Sequence, residues 1–304
     1  MDDDPLGNCY AIQKACDWHG IYGFYQRCFD DSGQWIFRGH SDPTWLLKST
    51  IDRQFSQYGI MNADRIKVEQ GVVRRFKREC HRYLDHPPEP ESDLEWIALM
   101  RHYGAPCRVV DWTYSFFVAL FFAVEGAVSI GGNFWCAVLC FDAEWLKITY
   151  KGMLEAIQEP GLLERYKRGG EAYSWLKLEY IRTFLLHNTR PVKIVAGISP
   201  FRLNERLGIQ QSLFLCPGDI REDFDHNFAY MLQHCDGDPR QHFVKLELTM
   251  TLEERKNILR RLQSMNMNRA TLYPGLQGFA ESLNTLMADA EHYLAAGEED
   301  EDHR

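Results

Sequence analysis

The sequence has no apolar run long enough to cross a bilayer. Its longest, "SFFVALFFAVEGAV" over 115–128, is short and interrupted by Glu125, whereas a spanning helix needs about 20 apolar residues. The opening Met-Asp-Asp-Asp lacks the positive charge and apolar stretch of a secretion signal, so a soluble, cytoplasmic chain with no membrane partner is expected. The nine cysteines (Cys9, Cys16, Cys28, Cys80, Cys107, Cys136, Cys140, Cys216 and Cys235) nowhere form a C-x-x-C pair. Their odd number and wide spacing argue against a disulfide framework and for buried thiols in a reducing compartment. There is no excess of positive charge: with 34 Lys and Arg against 43 Asp and Glu the formal net charge is -9. That excludes an extended basic surface for duplex DNA and leaves room for a local basic groove holding a shorter or single-stranded nucleic acid. Also absent are a Walker loop, G-x-G-x-x-G, H-E-x-x-H and G-x-S-x-G, which removes the commonest nucleotide-fold, metalloprotease and α/β-hydrolase readings. Cys80, His81 and His86 have no second half with which to close a zinc site, so no metal is expected.

What is present is ordinary globular material. The 304 residues are 45% hydrophobic and 25% charged, enough for one large domain or two modest ones. Residues 11–29 read as a helix and "QWIFRGH" as a strand ending in the turn Ser41-Asp42-Pro43. Residues 62–84 and 93–104 carry apolar side chains at helical spacing. "CRVVDWT" reads as a short buried strand, and Ser115 as the N-cap of the helix that follows. "NFWCAVLCFDAEWL", "VKIVAGI", "SLFLCP" and "HFVKLEL" read as strands, and Thr251-x-x-Glu254 as a capping box opening a helix. A last helix is expected over 275–294. Strands and helices mix without the alternation of a doubly wound sheet, so the expected class is α+β, with mixed or mainly antiparallel sheets and flanking helices.

Three stretches gather polar residues where strands end. In "WIFRGH", Arg38 closes an apolar run. In "RHYGAPCRVVDWTYS", Arg101, His102 and Tyr103 close a helix, then Arg108, Asp111, Thr113 and Ser115 follow; on a strand Asp111, Thr113 and Ser115 share a face opposite Val110, Trp112 and Tyr114. In "NERLGIQQSLFLC", Gln210 and Gln211 stand before an apolar strand, an expensive place for an amide without hydrogen-bond partners. Each has an ordinary alternative: Asp111 with Arg108 or Arg38 as a buried ion pair, Thr113 and Ser115 as caps, Gln210 as a bridge between backbone strands. Together they form a candidate site. Arg74, Arg75, Lys77, Arg78 and Arg82 read either as the solvated face of a helix or as a ridge that tracks phosphates.

"FRGH", "RHYGAPCRVVDWTYSFFVALFFA", "NERLGIQQSLF" and "TLYPGLQGFAESL" resemble the successive signatures of the FRG-domain family. The resemblance spans 20–287, with a helical insert near 62–104, after a lead-in of 1–19 and before an acidic tail, 288–304, expected to be disordered. Arg101, Cys107 and Ser212 stand where the family usually has Gln, Thr and Gly. More loosely, an arginine on the first strand, hydroxyls opening a helix, and a Glu or Gln before a later strand resemble the three-part signature of ADP-ribosyltransferases. Arg38, Thr113 with Ser115, and Gln210 or Gln211 hold those places in order.

That resemblance implies an ADP-ribosyltransferase-like core using NAD as substrate. FRG-type proteins are also similar to toxin components of phage-defence systems, which implies an RNA or single-stranded DNA acceptor and a neutralising antitoxin as a possible partner. Arg38, His102, Asp111 and Gln210 would be the catalytic set. Arg38, Gly39, Tyr103, Arg108, Thr113 and Ser115 would hold NAD, and Arg74, Arg75 and Arg78 the nucleic acid. Two readings compete: a metal-independent nuclease using Arg38, His102, Arg108 and Asp111, and a non-catalytic module that binds a nucleotide or a partner.

Overall fold

The computed structural model describes residues 4–29, 34–156, 191–199 and 205–286. These form an α+β fold on an eight-stranded sheet. The strands are β1 (Ala11–Ala15), β2 (Trp35–His40), β3 (Val110–Thr113), β4 (Val128–Ile130), β5 (Asn133–Asp142), β6 (Val195–Ile198), β7 (Ser212–Pro217) and β8 (Phe243–Met250). Their spatial order is β1-β8-β5-β2-β3-β7-β6, with β4 added to β5. β1 runs parallel to β8 and every other described pair is antiparallel. The mixed, mainly antiparallel sheet expected from the sequence is therefore present.

Both faces are covered. On one, α1 (Trp18–Phe29), α5 (Phe116–Glu125) and α9 (Leu252–Ser264) pack Ile21, Phe24, Leu120 and Leu262 against Phe37, Val138 and Leu246. On the other, α6 (Ala143–Ala156) and α8 (Phe224–Gln233) bring Leu146, Phe224 and Phe228 against Ile36, Trp112, Leu139 and Leu215. α5 is apolar around most of its circumference because it is buried around most of it, and Ser115 caps its first turn by accepting from Val118 N at 3.4 Å. The Thr251–Glu254 capping box opens α9 as expected.

Between β2 and β3 the chain makes α2 (Thr50–Gln57), α3 (Arg65–Glu79) with a 3-10 turn over Cys80–Arg82, and α4 (Asp93–His102). Short helices α7 (Glu205–Ile209) and α10 (Arg269–Leu272) precede β7 and α11 (Leu276–Leu286) respectively.

Two local expectations are corrected. Residues 11–15 are a strand, because pairing with Val244–Leu248 of β8 outweighs their helical pattern. The strand expected to run through Trp145 ends at Asp142, whose carboxylate accepts from Glu144 N and Trp145 N at 3.0 Å each and so opens α6. Six cysteines are buried, Cys28 and Cys235 are half-buried, and Cys16 is exposed, against the expectation of burial throughout. The acidic tail and the far end of the last expected helix lie outside the described residues.

The place where the site forms is set by register. β2 pairs with β5 over six positions, Trp35↔Asp142 to His40↔Ala137, but with β3 only at Phe37↔Thr113. Beyond that pair β2 and β3 part, and a cleft opens between them.

Candidate functional site

The cleft, about 210 Å³, is lined by Arg38 and Gly39 from β2, Asp111 and Thr113 from β3, Arg101 from α4, Phe122 from α5, Arg206 from α7, Gln210, and Tyr273 after α10. Arg38 spans the gap where the ladder stops: its Nη1 donates to the backbone oxygen of Asp111 at 2.6 Å, and its Nε to Nε2 of His40 at 3.3 Å. A side chain thus replaces a missing strand-to-strand bond. It is the carbonyl of Asp111 that Arg38 meets, while the carboxylate accepts Arg101 Nε at 2.6 Å and also pairs with its Nη2. Nη2 of Arg38 has no acceptor among the described residues, although a guanidinium carries five N–H donors. Burial, opposed by Asp111 and reinforced by Arg101 and Arg53, pushes Arg38 down to about 10. Burial and Arg38 also hold the His40 imidazole well below its ordinary value, so His40 is the neutral acceptor that this hydrogen bond needs.

The cleft is cationic. Among the described residues Arg38, Arg101 and Arg206 face a single carboxylate, Asp111, and Arg53 of α2 lies near enough to depress both Arg38 and His40. Arg206 stacks its guanidinium on Tyr273 at 4.1 Å and has no carboxylate partner among the described residues. Such a place favours an anion, because each added negative charge relieves a repulsion that the fold itself maintains.

The remaining expected residues divide. Thr113 is buried and fully engaged: its hydroxyl donates to the Gln210 backbone oxygen at 2.6 Å and accepts from Ser115 N at 2.9 Å. It ties β3 to the turn before β7. Gln210 faces the cleft and donates Nε2 to Leu272 O at 2.8 Å, whereas Gln211 is exposed in the left-handed region at φ 48°. That settles which glutamine belongs here. Gly39 lines the cleft for a packing reason: a Cβ there would lie 2.2 Å from Ala119 O and 2.7 Å from Ala123 N of α5.

Other expected members lie elsewhere. Arg108 is 1% exposed and forks onto Glu69 of α3, donating Nε to Oε1 at 2.6 Å and Nη2 to Oε2. Burial opposes its charge, and Glu69 outweighs it, raising the guanidinium above its ordinary value. It is a structural ion pair. His102 is half-buried outside the cleft, edge-on to Tyr103 at 4.8 Å, and burial with Arg206 nearby lowers it. Tyr103 borders a different cavity, and Ser115 is occupied as the α5 cap. Arg74, Arg75 and Arg78 are exposed on α3. Arg206 and Arg53 join the site without being singled out by the sequence pattern; the i, i+4 spacing of Arg206 and Gln210 in "ERLGIQ" is the signal that marks the first.

Residues 33–129, from just before β2 into β4, match the FRG domain. No curated protein and no solved structure matches it. The matched segment supplies Arg38, Gly39, Arg101, Asp111, Thr113 and Phe122 to the cleft, while Arg206, Gln210, Ser212 and Tyr273 come from beyond it. The matched segment therefore brings one wall of the site, and later segments the other. Among the described residues no helix is long and apolar enough to cross a membrane.

Proposed function

We propose that the FRG domain and the segments around it form an NAD-dependent ADP-ribosyltransferase acting on RNA or single-stranded DNA, of the kind used as a toxin or defence effector. One observation carries this: Arg38, Thr113 and Gln210, distant in sequence, meet in a single cleft along the neighbouring strands β2, β3 and β7, in the order of the three-part signature. In the reaction the nicotinamide–ribose bond breaks, C1′ bonds to the acceptor, and the acceptor loses a proton. Arg38 Nη2 donates to a phosphate of NAD. Arg206 and Arg53 meet the rest of the pyrophosphate. Gln210, with Nε2 committed to Leu272, offers Oε1 to a ribose hydroxyl, and Thr113 positions Gln210 through its backbone. The Asp111 carboxylate is the charge available to stabilise an oxocarbenium-like ribose.

The size of the cleft agrees with partial enclosure. Sites that enclose a drug-sized ligand run to roughly 300–1,000 Å³; about 210 Å³ takes one ring or sugar and leaves the rest of the dinucleotide at the mouth of the cleft.

The second reading, a non-catalytic nucleotide-binding module, is favoured by one fact. Asp111, the carboxylate lining the cleft, is already paired with Arg101, so deprotonating an acceptor would require that pair to open. The nuclease reading needs Arg108 and His102 in the cleft, and neither lines it.

Incubation of the chain with labelled NAD and separate pools of RNA, single-stranded DNA and protein decides between them. Label on one pool, lost in Arg38→Lys and Arg206→Gln, is the expected result. NAD binding that both substitutions weaken, with no nicotinamide released in any pool, selects the binding module. Absence of both binding and release rejects NAD as the ligand.

A further inference from the structure

A second cavity, about 570 Å³, lies beside α3 and the turn after it. Val72, Phe76, Tyr83, Leu84 and Tyr103 line its apolar part, and the Arg75–Glu79 pair its charged part. Tyr83 and Tyr103 are 78% and 62% exposed, so two aromatic rings bound a hole that the fold leaves open. Along the same segment Arg74 and Arg78 lie one turn apart on α3, about 6 Å along its axis, and Arg82 ends the 3-10 turn that follows. They are exposed and have no ion-pair partner among the described residues. This row lies one position round from Arg75, Glu79 and Tyr83, which border the cavity. The Arg82 guanidinium sits 5.9 Å over the Tyr83 ring.

We infer that this cavity is a base-stacking pocket for a single-stranded nucleic acid, whose phosphates run along Arg74, Arg78 and Arg82. An apolar hole edged by phenol rings accepts the π-face of any base, and a row of unpaired guanidinium groups beside it matches a polyanion. Neither an apolar peptide nor a free hydrophobic ligand accounts for the arginines. The geometry also joins the pocket to the cleft. Both lie at the C-terminal turn of α4, which sends Arg101 into the cleft and, two residues later, Tyr103 to the pocket. A strand anchored by one base here places its neighbours beside the arginine cleft. The purpose of the site, holding the acceptor of the transfer, rests on the function proposed above, whereas strand binding is read without NAD.

The test is fluorescence anisotropy of the full chain with labelled 12-nucleotide RNA and DNA single strands, the same strands made abasic, the matching duplex, and polyglutamate as competitor. Tyr83→Ala and Tyr103→Ala remove mostly exposed rings, so the fold is retained. Each is expected to weaken single-strand binding about tenfold or more, the usual consequence of losing one stacked base. Changing Arg74, Arg78 and Arg82 together to Gln is expected to flatten the slope of log affinity against log salt by about two, at roughly 0.7 per phosphate contact. Arg240→Ala, an exposed arginine outside α3, leaves affinity within about twofold. Whichever of RNA and DNA binds tighter names the acceptor class.

Several results overturn the inference: abasic strands or duplex binding as tightly as the intact single strand, competition by polyglutamate at equal charge, unchanged affinity in both tyrosine variants, or no binding at low salt. Strand binding as expected, with no nicotinamide released from NAD, leaves the pocket standing and removes the transferase. Labelling by the native chain, with both tyrosine variants binding every strand as it does, removes the pocket and leaves the transferase.

Discussion

Replacing Glu69 with leucine should destabilise the chain more than it disturbs the cleft. Glu69 and Arg108 are 6% and 1% exposed, and two of the guanidinium's charge-assisted bonds end on this carboxylate. Removing it leaves a cation where water cannot compensate. Breaking a buried pair from one side costs about 3–5 kcal/mol, a large share of the roughly 5–15 kcal/mol that holds a domain folded. Arg108→Met should cost a similar amount by stranding the carboxylate. The double substitution, Glu69→Leu with Arg108→Met, should recover most of that loss, because apolar side chains of similar volume replace a buried pair with little net change. Urea unfolding followed by tryptophan fluorescence measures all three, and calorimetry of NAD binding on the folded double variant completes the test. If each single change costs under about 1 kcal/mol, the costs simply add, and Arg108→Met abolishes NAD binding, then Arg108 belongs to the ligand site and its structural assignment is wrong.

Two further outcomes follow from the walls of the cleft. Gly39→Ala should cost about 3 kcal/mol or prevent folding, since the new methyl meets α5 backbone at 2.2 Å and the helix must lift; a loss under about 1 kcal/mol in urea unfolding would show that α5 docks less closely on β2. His40 stays neutral in the fold, its value held well below 6.5, while an unfolded histidine titrates near 6.5. Below that pH the unfolded state binds a proton that the folded state does not, so this contribution to stability is complete above about 6.5 and falls as pH drops. Between pH 7.5 and 5.5 the loss from this group is on the order of 1 kcal/mol. His40→Gln should remove that share of the pH dependence, and an unchanged dependence would refute the assignment.

Much was legible along the chain. The α5 cap at Ser115, the capping box at Thr251, the strand at Ser212–Pro217 and the mixed composition of an α+β sheet all follow from interactions within a few residues, where periodicity and capping chemistry act. The arginine within β2 was conspicuous for the same reason: an apolar run broken by a guanidinium is a local anomaly. What such a guanidinium would touch was not legible. Arg38 bridges to Asp111 over 73 positions, and Thr113 reaches Gln210 over 97. Arg108 finds Glu69 over 39 positions and so leaves the site to which its neighbours belong.

The sequence alone determined the types of element, their caps, and which short segments carry polar side chains, because those depend on near neighbours and on the two periods of strand and helix. Only the tertiary structure decided that β2 and β3 part after one pair, that Arg38 closes the gap, that Arg206 and Tyr273 supply the other wall, and that Arg108 is spent on Glu69. Those outcomes depend on register and on competition among distant charges for one another. Neither is encoded in spacing, since each arginine in the chain carries the same side chain and differs only in which partner the folded sheet brings near.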